Sequence, residues 1–174
     1  AIKSILKLDG VYALSRVLAE KAYLEYSNDA KLGTITGVDA DYNKVTLVSH
    51  YVRDGKFQLR DSSLNYAVVG ANIAIPLNIN VDRSMEPLRI TVPRRGVKNA
   101  FVPEEEFNTM SVMPGGVFSI QQEFDSKYVF VPLDFARQLL GLDNRVSGYE
   151  IKLKDGADAE KIRGQIAAIV GKDF

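Results

Sequence analysis

The spacing of hydrophobic and polar positions predicts a chain built largely from strands. Apolar and polar residues alternate over residues 11–26, but the phase shifts by one position at residues 20–21. Such a shift turns side chains to the opposite face of a strand, and a β-bulge is its usual repair. We predict one long strand with a bulge there, a turn at residues 27–29 and a return strand over 32–38. The competing interpretation is a helix with apolar positions Val11, Leu14, Leu18 and Ala22.

Further along, four segments have patterns typical of one element or of a strand followed by a helix. Residues 65–75 are almost wholly apolar, which predicts a buried strand and a short helix ended by Pro76. The other segments are a strand over 88–92, a strand over 128–131 with a helix to Gly141, and a strand over 149–153 with a helix capped by Asp158. Residues 94–116 lack periodicity and predict a long loop or an extended hairpin. The fold class is therefore α+β, with more strand than helix.

Composition and charge exclude several kinds of chemistry. The chain has 174 residues, one His, no Cys and no Trp. It therefore has no disulfide, no cysteine zinc site and no thiol nucleophile. The 22 basic and 22 acidic residues balance, so no overall charge points to nucleic acid as a partner. No stretch approaches the ~18 apolar residues of a membrane-spanning helix.

Three groups of polar residues are candidates for reactive or metal-binding sites. Residues 39–43 begin like a calcium loop, but Lys44 occupies the glycine position and His50 the position of the final glutamate. We therefore favour a polar helix start with Asp39 or Asp41 as the cap. His50 is expected to be exposed rather than a general base, because no nucleophile motif accompanies it. The acidic run 104–106 is expected to be a solvated loop face, and no phosphate-binding glycine loop is present.

The segment from Arg89 to Phe107 combines positive charge, apolar residues and then negative charge. A long loop of this composition suits contact with a partner protein, and a loop folded back on the core is the alternative. The adjacent acidic run argues against nucleic acid. The candidate partner-binding residues are Arg94, Arg95, Lys98, Phe101, Val102, Pro103 and Phe107.

Three stretches together resemble the extracytoplasmic domain of FtsX-like/MacB-like ABC transporter permeases. Residues 117–125 lead into Tyr128-Val129-Phe130-Val131-Pro132-Leu133 and a helix, which is similar to a strand, acidic turn, strand and helix of that family. Residues 66–74 resemble an upstream strand and short helix, and residues 149–174 resemble the closing strand and helix. The match departs at residues 77–82, which lack two glycines common in the family.

The resemblance implies a MacB-like periplasmic core domain with two lobes. Residues 1–53 and 144–174 would form a split α/β porter-like lobe, and residues 54–143 an inserted β-rich, Sabre-like lobe that carries the loop 94–116. The domain would lie in the periplasm of a Gram-negative cell between two membrane helices. It would need no cofactor and no catalytic residue, because a separate ATPase subunit supplies the energy. A second permease copy or paralogue would be a further partner.

Within this family, the loop 94–116 is similar to the one that recruits a lipoprotein carrier in permeases of the LolC/LolE type. The resemblance therefore implies lipoprotein release. MacB-like efflux, FtsX-like control of cell-wall hydrolases and a stand-alone small-molecule-binding domain are the alternatives. We expect deletion of residues 95–112 to abolish carrier binding while leaving the fold intact.

Overall fold

The computed structural model describes residues 2–83, 86–95 and 106–171. The helices are short, and strands account for more of the described chain than helices do. The strands are Val11–Tyr26 (β1), Asp29–Val38 (β2), Val52–Gly55 (β3), Arg60–Asp61 (β4), Leu64–Gly70 (β5), Leu88–Pro93 (β6), Phe107–Phe118 (β7), Tyr128–Pro132 (β8) and Gly148–Leu153 (β9). The α-helices are Ile2–Ile5 (α1), Tyr42–Val45 (α2), Ala71–Ala74 (α3), Gln122–Asp125 (α4), Leu133–Leu140 (α5) and Ala159–Val170 (α6).

The long first strand is confirmed, but the bulge predicted near Lys21 is wrong. The pairing of β1 with β2 runs without interruption from Val17–Val38 to Tyr26–Asp29, and β1 is irregular only between Val11 and Ala13, where it pairs with β9. The phase shift has a different cause. Both faces of β1 are covered in its first half, whereas in its last five residues only the face of Ala22 and Leu24 is fully buried.

Six strands close on themselves into a barrel. β1 pairs with β2, β2 with β8, β8 with β5, β5 with β7, β7 with β6, and β6 with β1. The β2–β8 and β5–β7 pairs are parallel, and the others are antiparallel. Closure leaves no free strand edge within the ring. We call the end at which β2, β6 and β8 finish the upper end of the barrel.

The barrel interior is the main hydrophobic core, and α5 covers its upper end. Leu24, Ile35, Ile90 and Val129 are fully buried inside. Helix α5 begins at Leu133, directly after Pro132, which ends β8 with extended backbone. Gly141 follows the last helical residue in the left-handed conformation, with φ 63°. One face of α5 packs into the same core, through Leu133, Phe135, Ala136, Leu139 and Leu140.

An aromatic cluster covers the outer face of β2, β5 and β8. Phe130 of β8 is its centre, with ring centroids 5.3 Å from Tyr42, 5.4 Å from Phe118 and 5.7 Å from Phe57. Tyr42 and Phe57 belong to the segment between β2 and β4, which therefore packs against the outside of the barrel.

A smaller core lies beyond the upper end, where β1 pairs with β9 and both terminal helices pack. Its buried residues are Ile5, Val11, Leu14 and Ile162. Strand β1 takes part in both the small core and the barrel core. Val11 and Leu14 lie in the small core, and the buried residues from Leu18 onwards lie in the barrel interior. Among the described residues, no helix is long and apolar enough to cross a membrane.

Strand β1 contributes buried residues to the small core and to the barrel core. The division into lobes at residues 53 and 143 stays a prediction. Strand β2 and helix α2, which fall within the predicted first part of the porter-like lobe, pack on the barrel. The loop predicted over 94–116 is also shorter, because residues 107–116 belong to strand β7 and pair with β6, β5 and β3. The extended hairpin offered as an alternative describes this region better.

Candidate functional site

The β6–β7 hairpin, which carries the predicted partner-binding residues, leaves the barrel at its upper end and is fixed there by polar contacts. The Arg94 backbone N–H donates to the Glu106 carbonyl at 2.7 Å, and Arg94 Nε donates to Asn108 Oδ1 at 3.0 Å. The Asn108 amide in turn donates from Nδ2 to the Leu139 carbonyl at 2.9 Å, near the end of α5. The base of the hairpin is thereby tied to the helix that closes the barrel.

A second contact ties the hairpin to the long strand. Arg95 donates from its guanidinium to the Glu20 carboxylate of β1 at 2.5 Å. Because this is a charge-assisted hydrogen bond, it is stronger than one between neutral groups, although both side chains reach solvent. The hairpin base is therefore held from two sides, by α5 and by β1.

Three of the seven predicted partner-binding residues lie in the described part of the chain. Arg94, Arg95 and Phe107 are all exposed, and 46% of Phe107 is accessible. The predicted residues Lys98, Phe101, Val102 and Pro103 fall within 96–105, outside the described residues. Asn108, which joins the hairpin to α5, was not predicted, since its partner Leu139 is 31 positions away in the sequence.

Residues 39–43, which begin like a calcium loop, contribute a structural contact instead. The Asp39 carboxylate accepts hydrogen bonds from Ser15 Oγ at 2.8 Å, from Arg16 N at 3.1 Å, from Arg16 Nε at 2.8 Å and from Asp41 N at 3.2 Å. Burial alone would raise the pKa of Asp39, but the hydrogen bonds from Arg16 and Ser15 and the charge of Arg16 outweigh it and lower that pKa. Asp39 thus clamps the end of β2 to β1.

Two of the other candidate chemical groups, His50 and Glu106, lie in the described part of the chain. His50 is exposed in a short 3-10 helix, as expected, and Glu106 is exposed at the base of the hairpin. Across residues 2–83, 86–95 and 106–171, no three acidic or histidine side chains are placed to hold a metal ion. Glu104 and Glu105 lie outside the described residues.

A cleft of about 410 Å³ lies at the upper end of the barrel, where β2 and β8 finish and α5 begins. The Arg16–Asp39 pair and Arg60 border it, together with Asp134 in the first turn of α5. The sequence does not predict this cleft, because the residues that border it are up to 118 positions apart in the chain, from Arg16 to Asp134. None of the residues that border the cleft belongs to a sequence motif that would mark it as part of a binding site.

Solved structures place this fold among the extracytoplasmic domains of bacterial transporters. The periplasmic region of MacB from Actinobacillus actinomycetemcomitans matches with a TM-score of 0.62 and 13% identity, over 97% of this chain and 70% of that one. The extracellular domain of the noncanonic ABC-type transporter YknZ from Gram-positive bacteria matches with a TM-score of 0.58 and 15% identity, over 94% and 74%. The resemblance to an FtsX-like/MacB-like permease domain is confirmed at the level of the fold.

A curated relative is similar along most of the sequence. The lipoprotein-releasing system transmembrane protein LolC of Buchnera aphidicola subsp. Schizaphis graminum (strain Sg) is 23% identical over 154 residues. The match covers 88% of this chain but only 37% of the relative, so this chain spans little more than a third of that protein. No family model matches the sequence.

Proposed function

We propose that this chain is the extracytoplasmic domain of an ABC transporter permease and that it transmits movement to a partner outside the membrane. The main support for this proposal is the fold that the chain shares with MacB and YknZ, and the similarity to LolC adds to it. Helices α1 and α6 pack in one small core, so both ends of the described chain lie on the same lobe. That placement suits a domain inserted between two membrane helices.

In this proposal, ATP hydrolysis by a separate cytoplasmic subunit moves the membrane helices, and the domain follows as a body. β1 passes from the small core into the barrel without interruption, and the Asp39 clamp holds β2 beside it at the crossing point. Movement of the small lobe would therefore be carried into the barrel as rigid-body displacement. The second partner would be another permease copy or a paralogue.

The finer proposal is lipoprotein release, with the β6–β7 hairpin as the surface that contacts a periplasmic lipoprotein carrier. The LolC similarity supports it, and so do the exposed Arg94, Arg95 and Phe107 at the hairpin base. Because the base is bonded to α5 and β1, a carrier seated on the hairpin would be connected to the body of the domain. MacB-like efflux is the second candidate, since the MacB periplasmic region shares the fold.

The structure changes the deletion that tests this proposal. Removing residues 95–112 would not leave the fold intact, because Phe107 to Val112 pair with β6 and Val112 is buried in the barrel core. Replacing residues 97–104 by a short Gly-Ser linker keeps the Arg94–Glu106 backbone bond and all of β7. The matched control exchanges Asn28 for Gly in the β1–β2 turn, at the opposite end of the barrel.

The measurement is binding of a purified LolA-like carrier to the immobilised chain, with thermal unfolding as a check on folding. We expect the linker variant to unfold like the parent chain and to lose carrier binding at least about tenfold, whereas the turn variant binds normally. Equal carrier binding by the parent and the linker variant would rule out the hairpin as the carrier surface. The broader permease assignment is tested separately by the sequence of the full gene. That gene should encode membrane helices on both sides of this domain, and a gene for an ATPase should lie beside it.

A further inference from the structure

The cleft at the upper end of the barrel has an apolar floor and a charged rim. Val38, Phe57, Leu59, Pro132 and Leu133 supply the apolar surface. A volume of about 410 Å³ lies within the range of small-ligand sites in proteins. The cleft is separate from the hairpin, since it lies at the first turn of α5, whereas Asn108 of the hairpin bonds near the last turn. Leu133 and Leu139 are six residues apart in this helix, which places these points about 9 Å apart along its axis.

Two arginines of the rim are held in the same way. Arg16 donates from Nε to Asp39 Oδ2 at 2.8 Å, and Arg60 donates from Nε to Asn65 Oδ1 at 3.2 Å. Within the described residues, the terminal nitrogens of Arg16 have no hydrogen-bond acceptor. Those of Arg60 have only the Asp134 carboxylate at 3.8 Å, beyond hydrogen-bonding distance. Each guanidinium is therefore oriented through Nε while its terminal donors stay available.

The remaining charges of the cleft decide which ligand fits. Asp39 has accepted four hydrogen bonds and is fully used, so it leaves little capacity for a cationic ligand. Asp134 is 69% exposed and only loosely paired, with Arg60 and Arg137 both at 3.8 Å. The first turn of α5 adds a weak positive field, since Pro132 provides no side-chain cap for its free N–H groups.

We propose that this cleft binds a carboxylate carried next to an apolar side chain. The terminal nitrogens of Arg60 and Arg16 would receive the carboxylate, and the floor formed by Phe57, Leu59 and Leu133 would receive the side chain. Such a group occurs in a free acylated amino acid and at the carboxyl terminus of a peptide with an apolar last residue. Asp134 acts as the competitor that the ligand displaces from Arg60.

This proposal is tested with two probes of matched chemistry on the intact chain. The first is N-acetyl-leucine, and the second is the tetrapeptide Ac-Ala-Ala-Ala-Leu with a free carboxyl terminus. The carboxyl-terminal amide of each is the control, because it keeps the leucine side chain and removes the charge. Binding is followed by calorimetry. We expect both acids to bind and both amides to bind at least about tenfold more weakly. Tighter binding of the peptide would identify a chain terminus as the source of the carboxylate.

Point variants assign that binding to the cleft. Arg60→Gln should weaken binding of the acids about tenfold, and Asp134→Asn should strengthen it about two- to fivefold. Arg89→Gln is the matched control, since Arg89 is exposed and lies near the opposite end of the barrel. Equal binding of acids and amides, no binding of either acid at millimolar concentration, or no effect of either cleft variant would overturn the proposal. The hairpin replacement leaves every cleft residue in place, so the two proposals fail independently.

Discussion

At the scale of single residues, Asp39 is the polar group on which the most structure depends. It lies directly after β2, opposite Arg16 in the continued register of the β1–β2 pair. Its side chain is 14% exposed and replaces the strand bonds that β2 no longer makes to β1. Asp39 or Asp41 was predicted to cap α2. Asp41 takes the N-cap position without a side-chain hydrogen bond to the helix, and Asp39 accepts from Asp41 N. The hydrogen bonds of Asp39 to Ser15 and Arg16 could not be predicted without knowing how β1 pairs with β2.

Replacing Asp39 by Asn should destabilise the domain by about 1–3 kcal/mol at neutral pH, because Arg16 loses its charged partner. The folded-state pKa of Asp39 is lowered, so the parent's extra stability is present above the unfolded value near ~3.9 and is lost as pH falls through the folded pKa. The difference in the free energy of unfolding between the parent chain and the variant should therefore be largest at pH 7 and shrink towards pH 2. Thermal unfolding across this range measures it.

The control for Asp39→Asn is Asp41→Asn, two residues away. Asp41 is 51% exposed and pairs with Lys44 on the surface, so its loss should cost less than about 1 kcal/mol. If both variants had the same effect, or if the Asp39→Asn gap persisted undiminished at pH 2, Asp39 would not be the clamp described here.

At the scale of elements, the sequence predicted most strands and helices but not what covers them. The β1–β2 hairpin, the strand and short helix at β5–α3, and the β8–α5 and β9–α6 pairs were all predicted, because each has a clear period and a strong turn or cap residue. The predicted bulge was wrong because periodicity cannot show that β1 is covered on both faces. Leu14 packs in the small core and Val17 in the aromatic cluster. Strand β7 was predicted only as part of the alternative extended hairpin, because its first half, from Phe107, is largely polar.

The position of α5 depends on a close approach to β2 at Gly37. A Cβ atom at this residue would lie 2.4 Å from the Ala136 Cβ and 3.3 Å from the Leu133 Cα. Gly37→Ala should therefore push α5 away from the upper end of the barrel and destabilise the domain by about 1–3 kcal/mol. Urea unfolding followed by circular dichroism measures this change.

Gly164→Ala is the matched control for Gly37→Ala. Gly164 lies inside α6, and nothing lies within 4 Å of the Cβ that the substitution adds. Alanine is the better helix former by up to about 1 kcal/mol, so this variant should be slightly more stable. Two glycine-to-alanine changes of opposite sign would locate the effect in the α5–β2 contact. A neutral Gly37→Ala variant would show that α5 moves freely.

At the scale of the whole molecule, closure of the barrel is the feature that the sequence could not show. The pairs that close it join residues far apart, such as Leu24 with Ile90 and Val68 with Phe130. No local pattern records such pairs, and the resemblance to a permease domain predicted a β-rich lobe rather than a ring of strands. The cleft and the base of the hairpin depend on the same closure, since both are formed where distant strands end together.

The two cores differ greatly in size, which sets the order in which parts of the domain should open. Among the described residues, twenty-two buried ones form the barrel core, whereas four form the core between β1, β9 and the terminal helices. Local opening free energy follows the number of buried apolar contacts. We therefore expect amides of β9 and α6 to exchange with deuterium well before those of β5 and β8, in hydrogen-exchange mass spectrometry of the intact chain.

Ile162→Ala tests whether the small core opens separately, since Ile162 is its buried residue on α6. Removing most of this side chain should cost about 2–5 kcal/mol locally. Exchange should accelerate in β9 and α6 while β5 and β8 keep their rates, because β1 stays anchored in the barrel by β2 and β6. Uniform acceleration throughout the chain would instead show a single cooperative unit. A small lobe that loosens while the barrel stays intact would confine any transmitted motion to the crossing of β1, where Arg16 and Asp39 meet.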